Sequence, residues 1–199
     1  MHTNGTLVSF DRILEFEQEL AKYTGAPYVI MTDCCTHAIE LCLRYQKPTH
    51  CAFTAFTYLS VPMTMHKLGI EYRLIPEVWT GEYRFHGTNI WDSARRLERG
   101  MYQPAQMQCV SFGVTKPLHL GRGGAILLDD ASAYETLSRW RSDGRDLRVS
   151  PWQSQTHYTQ GWHYCPTLEL CEQGTDRLKY FAGAVTHHTY PDCRNLTIL

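Results

Sequence analysis

The chain reads as one α/β domain, a mostly parallel mixed sheet flanked by helices. Three observations predict this. Short apolar runs alternate with amphipathic stretches of helical period along most of the 199 residues, the pattern of strands joined through helices. With 43% of its residues hydrophobic, a chain of this length buries about 70% of the surface its unfolded form exposes, enough for one substantial core. No internal repeat or low-complexity tract divides it, so residues 1–199 are read as a single domain.

The elements follow in order. Phe10, Ile13, Leu14, Leu20 and Ala21 recur near helical spacing and Gly25 stands where a left-handed cap is wanted, so the first element is a helix. Tyr28 to Met31 form a short strand, and a second helix begins near Thr36 with Ala38, Ile39, Leu41, Cys42 and Tyr45 on one face. The pattern repeats: Cys51 to Phe53 a strand, Ser60 to Leu68 a helix closed by Gly69, Glu71 to Ile75 a strand. Asn89 to Trp91 make a brief strand ending at Asp92. Cys109 to Phe112 and Ala125 to Leu128 are two buried strands about a tight bend, followed by a helix over 131–141 that Gly144 ends. Leu147 to Gly161 turns polar and aromatic without a period, which predicts a long loop. A last helix spans 166–182 with Pro166 in its first turn, where a missing amide costs little. Residues 185–199 are expected as an extended tail.

Composition excludes several classes. A formal charge of -1 and a pI near 6.8 give no field to gather nucleic acid or an anionic membrane. No apolar run approaches the roughly 18 residues of a membrane span, and no basic start leads into an apolar stretch. Eight cysteines without a CxxC pair read as buried free thiols of a reducing compartment, so a cytoplasmic protein is expected. Ten histidines contain no HxxxH or HExxH spacing, and no metal site is expected.

Three strand ends carry chemistry, and in an open α/β sheet ligands bind at the carboxyl ends of strands. Lys116 lies in the bend between two apolar strands, beside Gly121, Gly123 and Gly124, poised to form a Schiff base with a carbonyl; a surface lysine is the plain alternative. Asp33-Cys34-Cys35-Thr36 leads straight into a helix, whose free amides and dipole favour a phosphate, with the Thr36 hydroxyl as a further donor; an ordinary N-cap of Asp33 or Thr36 is the alternative. Asp92 follows Ile90-Trp91, so its carboxylate is drawn inward and needs a cation: either a protonated pyridine nitrogen or one of Arg95, Arg96 and Arg122. The glycines at 121–124 follow no dinucleotide or P-loop pattern, so nucleotide binding through them is a weaker idea.

Together these parts are those a pyridoxal phosphate site requires. Their order resembles the DegT/StrS-type aminotransferases, fold-type-I enzymes that aminate keto sugars on nucleotide carriers. Phe16-Glu17-Gln18-Glu19-Leu20-Ala21-Lys22-Tyr23-Thr24-Gly25 is similar to that family's FEEEFAKYLG opening, and Thr32-Asp33-Cys34-Cys35-Thr36-His37-Ala38 to its NSGTAA phosphate turn. The resemblance implies phosphate held by the amides of Cys35 and Thr36, the Thr36 hydroxyl and Ser111. Ala55-Phe56-Thr57-Tyr58 is similar to the P-x-F-T-aromatic stretch, which makes Tyr58 the ring stacked on the pyridine, core packing being its alternative. Trp91-Asp92-Ser93-Ala94-Arg95 resembles EDAAQ, placing Asp92 at the ring nitrogen and Arg95 where glutamine or histidine is usual. Ser111-Phe112-Gly113-Val114-Thr115-Lys116 is similar to SFHPTK and makes Lys116 the catalytic lysine. Gly161-Trp162-His163-Tyr164 resembles GxNxR, so His163 stands where an asparagine reaches the neighbouring subunit's phosphate.

Family members are commonly much longer. The interval from Ile75 to Asp92 is too short for their strand-helix-strand insertion, and nothing after about residue 185 makes their small C-terminal domain. The resemblance implies a shortened homodimeric aminotransferase of sugar or polysaccharide biosynthesis, taking its amino group from glutamate or glutamine for a keto sugar. A pyridoxal phosphate dehydratase or decarboxylase uses the same residues. A non-catalytic or assembly protein on the same fold is the rival from another class.

Overall fold

Helix α1 (Asp11–Thr24) buries Ile13, Phe16 and Leu20 along one face and stops at Gly25, whose φ of 79° closes the left-handed cap by an amide bond to the Ala21 carbonyl. The computed structural model describes residues 10–197. Strand β1 (Tyr28–Thr32) follows, then α2 (Cys35–Gln46), β2 (His50–Thr54), α3 (Ser60–Leu68) and β3 (Glu71–Ile75), each within a residue or two of the sequence expectation. Next come the short β4 (Tyr83–Arg84), β5 (Ile90–Asp92), β6 (Arg96–Leu97), β7 (Met107–Ser111) and β8 (Gly124–Leu128). Helices α4 (Ala131–Trp140) and α5 (Leu168–Leu178) and strand β9 (Ala184–Val185) complete the fold. Asp130 caps α4 through the amides of Ser132 and Ala133. Thr167 caps α5, so Pro166 lies just outside that helix rather than in its first turn.

The main sheet runs β1-β8-β7-β5-β4. Only β5 and β7 pair in parallel there; β8 is antiparallel to both of its neighbours, and β4 is antiparallel to β5. The expectation of a mostly parallel sheet is corrected at this level. The reason is local: β7 returns directly as β8 through the lysine bend with no crossover helix, and such a connection makes an antiparallel pair. Strand β1 therefore still runs with β5 and β7. β2 and β3 form a parallel pair of their own, and Ala52 in β2 meets His86, just past β4, in an antiparallel bridge. That bridge carries the sheet onward with β2 also running in the direction of β5. Tyr83 to Asp92 thus form a tight hairpin whose first strand, β4, lies between β5 and β2.

Alternation along the strands makes two cores. Ile30, Cys109 and Ile126 face α2 and α3 with Ile39, Leu41 and Phe53. Val29, Met31, Val110, Ala125 and Leu127 face α1 and α5, where Phe16 meets Phe112 with ring centroids 5.7 Å apart. Arg141, just past α4, is 1% exposed; its Nη1 reaches Glu17 Oε1 of α1 at 2.6 Å and the Met31 carbonyl of β1 at 2.6 Å.

The 147–161 stretch is a loop with one short 3-10 turn, Trp152–Ser154. The segment expected as a tail runs from β9, which pairs with β6, across the carboxyl ends of the strands to Asp192, which bridges Phe56, and into a 3-10 turn at Cys193–Asn195. All eight cysteines are free thiols. Among the described residues no helix is long and apolar enough to cross a membrane.

Candidate functional site

Strands β1, β2, β5 and β7 share a direction, so their carboxyl ends open on one side, and each delivers a candidate residue there. Past β1 come Cys34, Cys35 and Thr36, and past β2 Thr57 and Tyr58; β5 ends on Asp92 with Arg95 beyond it, and β7 ends on Ser111 with Lys116 beyond it. All of them line one cavity of about 320 Å³, within the range of small-molecule sites.

One end of the cavity is the start of α2. Cys34 is extended and supplies no side-chain cap, and the first amides of any helix lack a carbonyl within it. These NH groups and the helix dipole face the cavity beside the Thr36 hydroxyl, which is 2.7 Å from the Ser60 hydroxyl. Gly124 of β8 permits the arrangement. A Cβ there would collide with the Cys35 amide nitrogen and the Cys34 carbonyl carbon, so only glycine lets the strand pass beneath this turn. Arg122 lines the rim, its Nη2 2.9 Å from Asp33 Oδ2.

Asp92 stands on the cavity floor, 5% exposed. Its Oδ1 accepts from the Ala94 amide at 2.9 Å and its Oδ2 from the Tyr83 phenol at 2.8 Å. Burial raises its pKa, against the pull of the Ala94 amide, the Lys116 charge, the Tyr83 hydroxyl and Arg95. None of the arginines considered from sequence pairs with it: Arg96 binds Glu82 and Glu98, Arg122 binds Asp33, and Arg95 donates to the Thr115 carbonyl and the Tyr190 phenol. Among the described residues Asp92 forms no ion pair. Arg95, itself 3% exposed, also has no carboxylate partner among them.

Lys116 sits on a held turn. The loop after β7 is closed by bonds from the Phe112 amide to the Gly123 carbonyl and from the Leu120 amide to the Phe112 carbonyl, and the Lys116 amide bonds back to Gly113. Its Nζ donates to Tyr190 Oη at 3.2 Å. The positive field of Arg95 and Lys116 reaches His188, whose pKa is lowered by burial first and then by these two charges.

Eight residues were singled out as site candidates, and the structure gathers seven of them. Lys116, Asp92, Cys35, Thr36, Tyr58, Ser111 and Arg95 share the cavity, with Tyr58 63% exposed at its mouth. His163 is not among them; its side chain is 85% exposed and its Nδ1 lies 2.9 Å from Asp143 Oδ2. Sequence reasoning missed Thr57 and Tyr83, which support Asp92, and Trp79, His188 and Tyr190. Tyr83 faces Asp92 in the β4·β5 register, a pairing visible only once the Gly87-Thr88 turn is read as a hairpin. Tyr190 lies 74 residues beyond Lys116, and no local pattern ties it there. Asp33, Cys34 and His37, at the start of α2, place potential metal-ligating atoms within 4.8 Å of one another, but Asp33 is already bonded to His37 and Arg122.

The arrangement suits a ligand with an anionic group at one end, a ring cation over Asp92 and a carbonyl at the lysine. Residues 1–75 match the sequence model of the DegT/DnrJ/EryC1/StrS aminotransferase family. Among solved structures, DesV of S. venezuelae superposes with a TM-score of 0.72 at 16% identity, over 89% of this chain and 59% of its own. DesI, solved in the presence of its TDP-sugar product, gives 0.69 at 16%, over 88% and 54%. The sugar aminotransferase Spr1654 of Streptococcus pneumoniae in its PLP form gives 0.69 at 15%, over 89% and 61%. The fold is that of a fold-type-I aminotransferase large domain. The chain spans well under two thirds of the length of these structures. No curated protein matches it.

Proposed function

We propose that this domain holds pyridoxal 5'-phosphate and acts as an aminotransferase, moving an amino group from glutamate or glutamine to a nucleotide-linked keto sugar. The observation that carries the reading is the buried Asp92 carboxylate, free of ion pairs among the described residues, in the same cavity as Lys116 and an uncapped helix start. Buried charge without a partner is costly, and a protonated pyridine nitrogen supplies what Asp92 lacks.

The residues fit the cofactor. The Cys35 and Thr36 amides with the Thr36, Ser60 and Ser111 hydroxyls would hold the phosphate. Tyr58 at the mouth would cover the ring face, Arg95 would meet the phenolic oxygen, and Lys116 would bond the aldehyde. When bound, pyridoxal phosphate supplies a conjugated cationic ring that draws electrons from the carbon bearing nitrogen. Asp92 would keep the ring nitrogen protonated. Lys116 Nζ would take the proton from the substrate carbon and return it, acting as base and then acid. The sugar substrate is supported by the family matched over residues 1–75 and by the TDP-sugar in the DesI structure; donor and carrier follow the same resemblance. A homodimer completes the reading, because the resemblance puts the exposed His163 at the position where the family's asparagine reaches the neighbouring subunit's phosphate.

The test is direct. Purified protein given pyridoxal phosphate acquires visible absorbance that borohydride abolishes, with the added mass on the peptide containing Lys116; Lys116→Ala stays colourless. Glutamate then bleaches the wild-type band, and mass spectrometry of a keto-sugar panel finds the aminated product. Colourless wild-type protein overturns the reading, and a coloured protein that no amino donor bleaches leaves a cofactor-holding relic. Sedimentation showing only monomer with cofactor bound overturns the dimer.

A further inference from the structure

The segment after β9 is a strap fastened at both ends. On one side β9 pairs with β6 and the Thr186 amide donates to the Arg95 carbonyl at 2.8 Å. On the other, Asp192 bridges Phe56 and the Cys193 amide donates to the Ala55 carbonyl at 2.9 Å. Between these anchors the strap pushes Tyr190 into the cavity until it is 9% exposed. The ring lies nearly flat against Trp79, centroids 5.8 Å apart at 16°, and takes the His188 ring edge-on at 4.6 Å.

What the phenol touches is specific. Tyr190 Oη accepts from Lys116 Nζ at 3.2 Å and from Arg95 Nε at 3.1 Å. A phenolic oxygen offers two acceptor positions, and here both go to cations. Arg95 is itself fixed, because its Nη1 donates to the carbonyl of Thr115, the residue before Lys116, at 2.7 Å. Tyr190, Arg95 and the lysine turn therefore close a triangle, whereas a lysine amine on its flexible four-carbon stem has no preferred direction by itself.

We propose that Tyr190 is the positioning residue for Lys116, its phenol oxygen holding the amine inside the cavity, so that the strap is a working part of the site. The inference rests on the proposed function only for the identity of the group that Lys116 meets.

The experiment reads Lys116 without cofactor. Acetylation by acetic anhydride is followed across pH by peptide mass spectrometry, with Lys47 and Lys179 as internal references. Tyr190→Phe keeps the ring against Trp79 and removes only the oxygen. The amine then loses an acceptor while Arg95 stays, so Lys116 is labelled faster, relative to the reference lysines, toward the lower end of the pH range. A profile of unchanged shape in Tyr190→Phe overturns the inference, even if the overall rate changes, because packing alone scales reactivity equally across pH. In a second arm, borohydride trapping of pyridoxal phosphate on Lys116 slows about tenfold in Tyr190→Phe at unchanged thermal midpoint, the scale of one charge-assisted hydrogen bond. Wild-type protein that is never trapped, alongside an acetylation profile of changed shape, sinks the cofactor reading and leaves Tyr190's role standing. Trapping of wild type alongside a profile of unchanged shape does the reverse.

Discussion

Tyr83 donates its phenolic proton to Asp92 Oδ2 at 2.8 Å, and with that proton committed, the 2.6 Å contact between Tyr83 and Thr57 has the threonine as donor. A relay from β2's end through β4 thus terminates on the carboxylate at the end of β5. It orients Asp92 and spreads its charge, and together with the Ala94 amide it opposes the burial that would neutralise the group.

Asp92→Asn separates the two sides of this arrangement. Burial raises the carboxyl's folded-state pKa, so above its unfolded value the folded protein carries a charge it disfavours, and stability rises as pH falls through the raised value. The amide removes that cost. The cofactor-free variant is expected to be more stable than wild type at neutral pH by roughly 1 kcal/mol, with the difference shrinking in acid. Its affinity for pyridoxal phosphate falls by at least about tenfold, the worth of one charge pair. Chemical denaturation at two pH values and a cofactor titration measure both; a variant less stable than wild type at neutral pH shows that Asp92 has a structural partner after all.

Gly124→Ala probes the phosphate end. Its Cβ would meet the backbone of Cys34 and Cys35, and backbone cannot swing aside as a side chain does. Overpacking of this kind costs about 1–3 kcal/mol, and relief by lifting the start of α2 spoils the amide cradle. The expected result is a lower thermal midpoint together with cofactor binding weakened beyond what Ser111→Ala alone produces. Unchanged stability and affinity would mean that the strand and helix start have room to part.

The helices and most strands were legible because their signals are local: the apolar spacing of α1, the glycine after α3, the apolar runs of β7 and β8. So was the gathering of the candidate residues in one cavity, since Lys116, Asp92 and Thr36 each stand at or just past the end of a strand whose position the sequence marks. What was not legible is non-local. The two-residue strands β4, β6 and β9 have no period to read, and they exist because Tyr83, Arg96 and Ala184 find partners across the fold. The strand directions around β8 depend on the chain returning from β7 without a helix. The tail's place over Lys116 depends on its pairing with β6 and Phe56, and its polar, histidine-rich sequence carries no sign of either.

His37 gives the fold a pH dependence at the same helix. Burial disfavours its charge, but hydrogen bonds to Asp33 and Cys34 prevail and raise its pKa to about 9, with Nδ1 2.6 Å from Asp33 Oδ1. A raised folded-state value for a cation stabilises fully below the unfolded pKa of about 6.5 and is lost as pH climbs through the folded one. Wild-type stability is therefore expected to decline between about pH 6.5 and 9, and His37→Gln to flatten that decline. Denaturant midpoints at half-unit intervals decide it: parallel wild-type and variant curves would place the titration elsewhere.

Arg141 and Glu17 tie α1 to the end of α4 through an ion pair with side chains 2% and 6% exposed. The geometry satisfies several groups at once, since Glu17 Oε1 also accepts from the Met31 amide at 2.7 Å while Arg141 donates to the Met31 carbonyl. Removing one member leaves the other charged and buried, at a cost of about 3–5 kcal/mol, whereas replacing both by apolar residues of similar size is often near neutral. Arg141→Met alone is expected to unfold at markedly lower denaturant, and Arg141→Met with Glu17→Leu to recover much of the loss. If the double variant is no better than the single one, the bonds to Met31, rather than the buried charges, carry the stability of this junction.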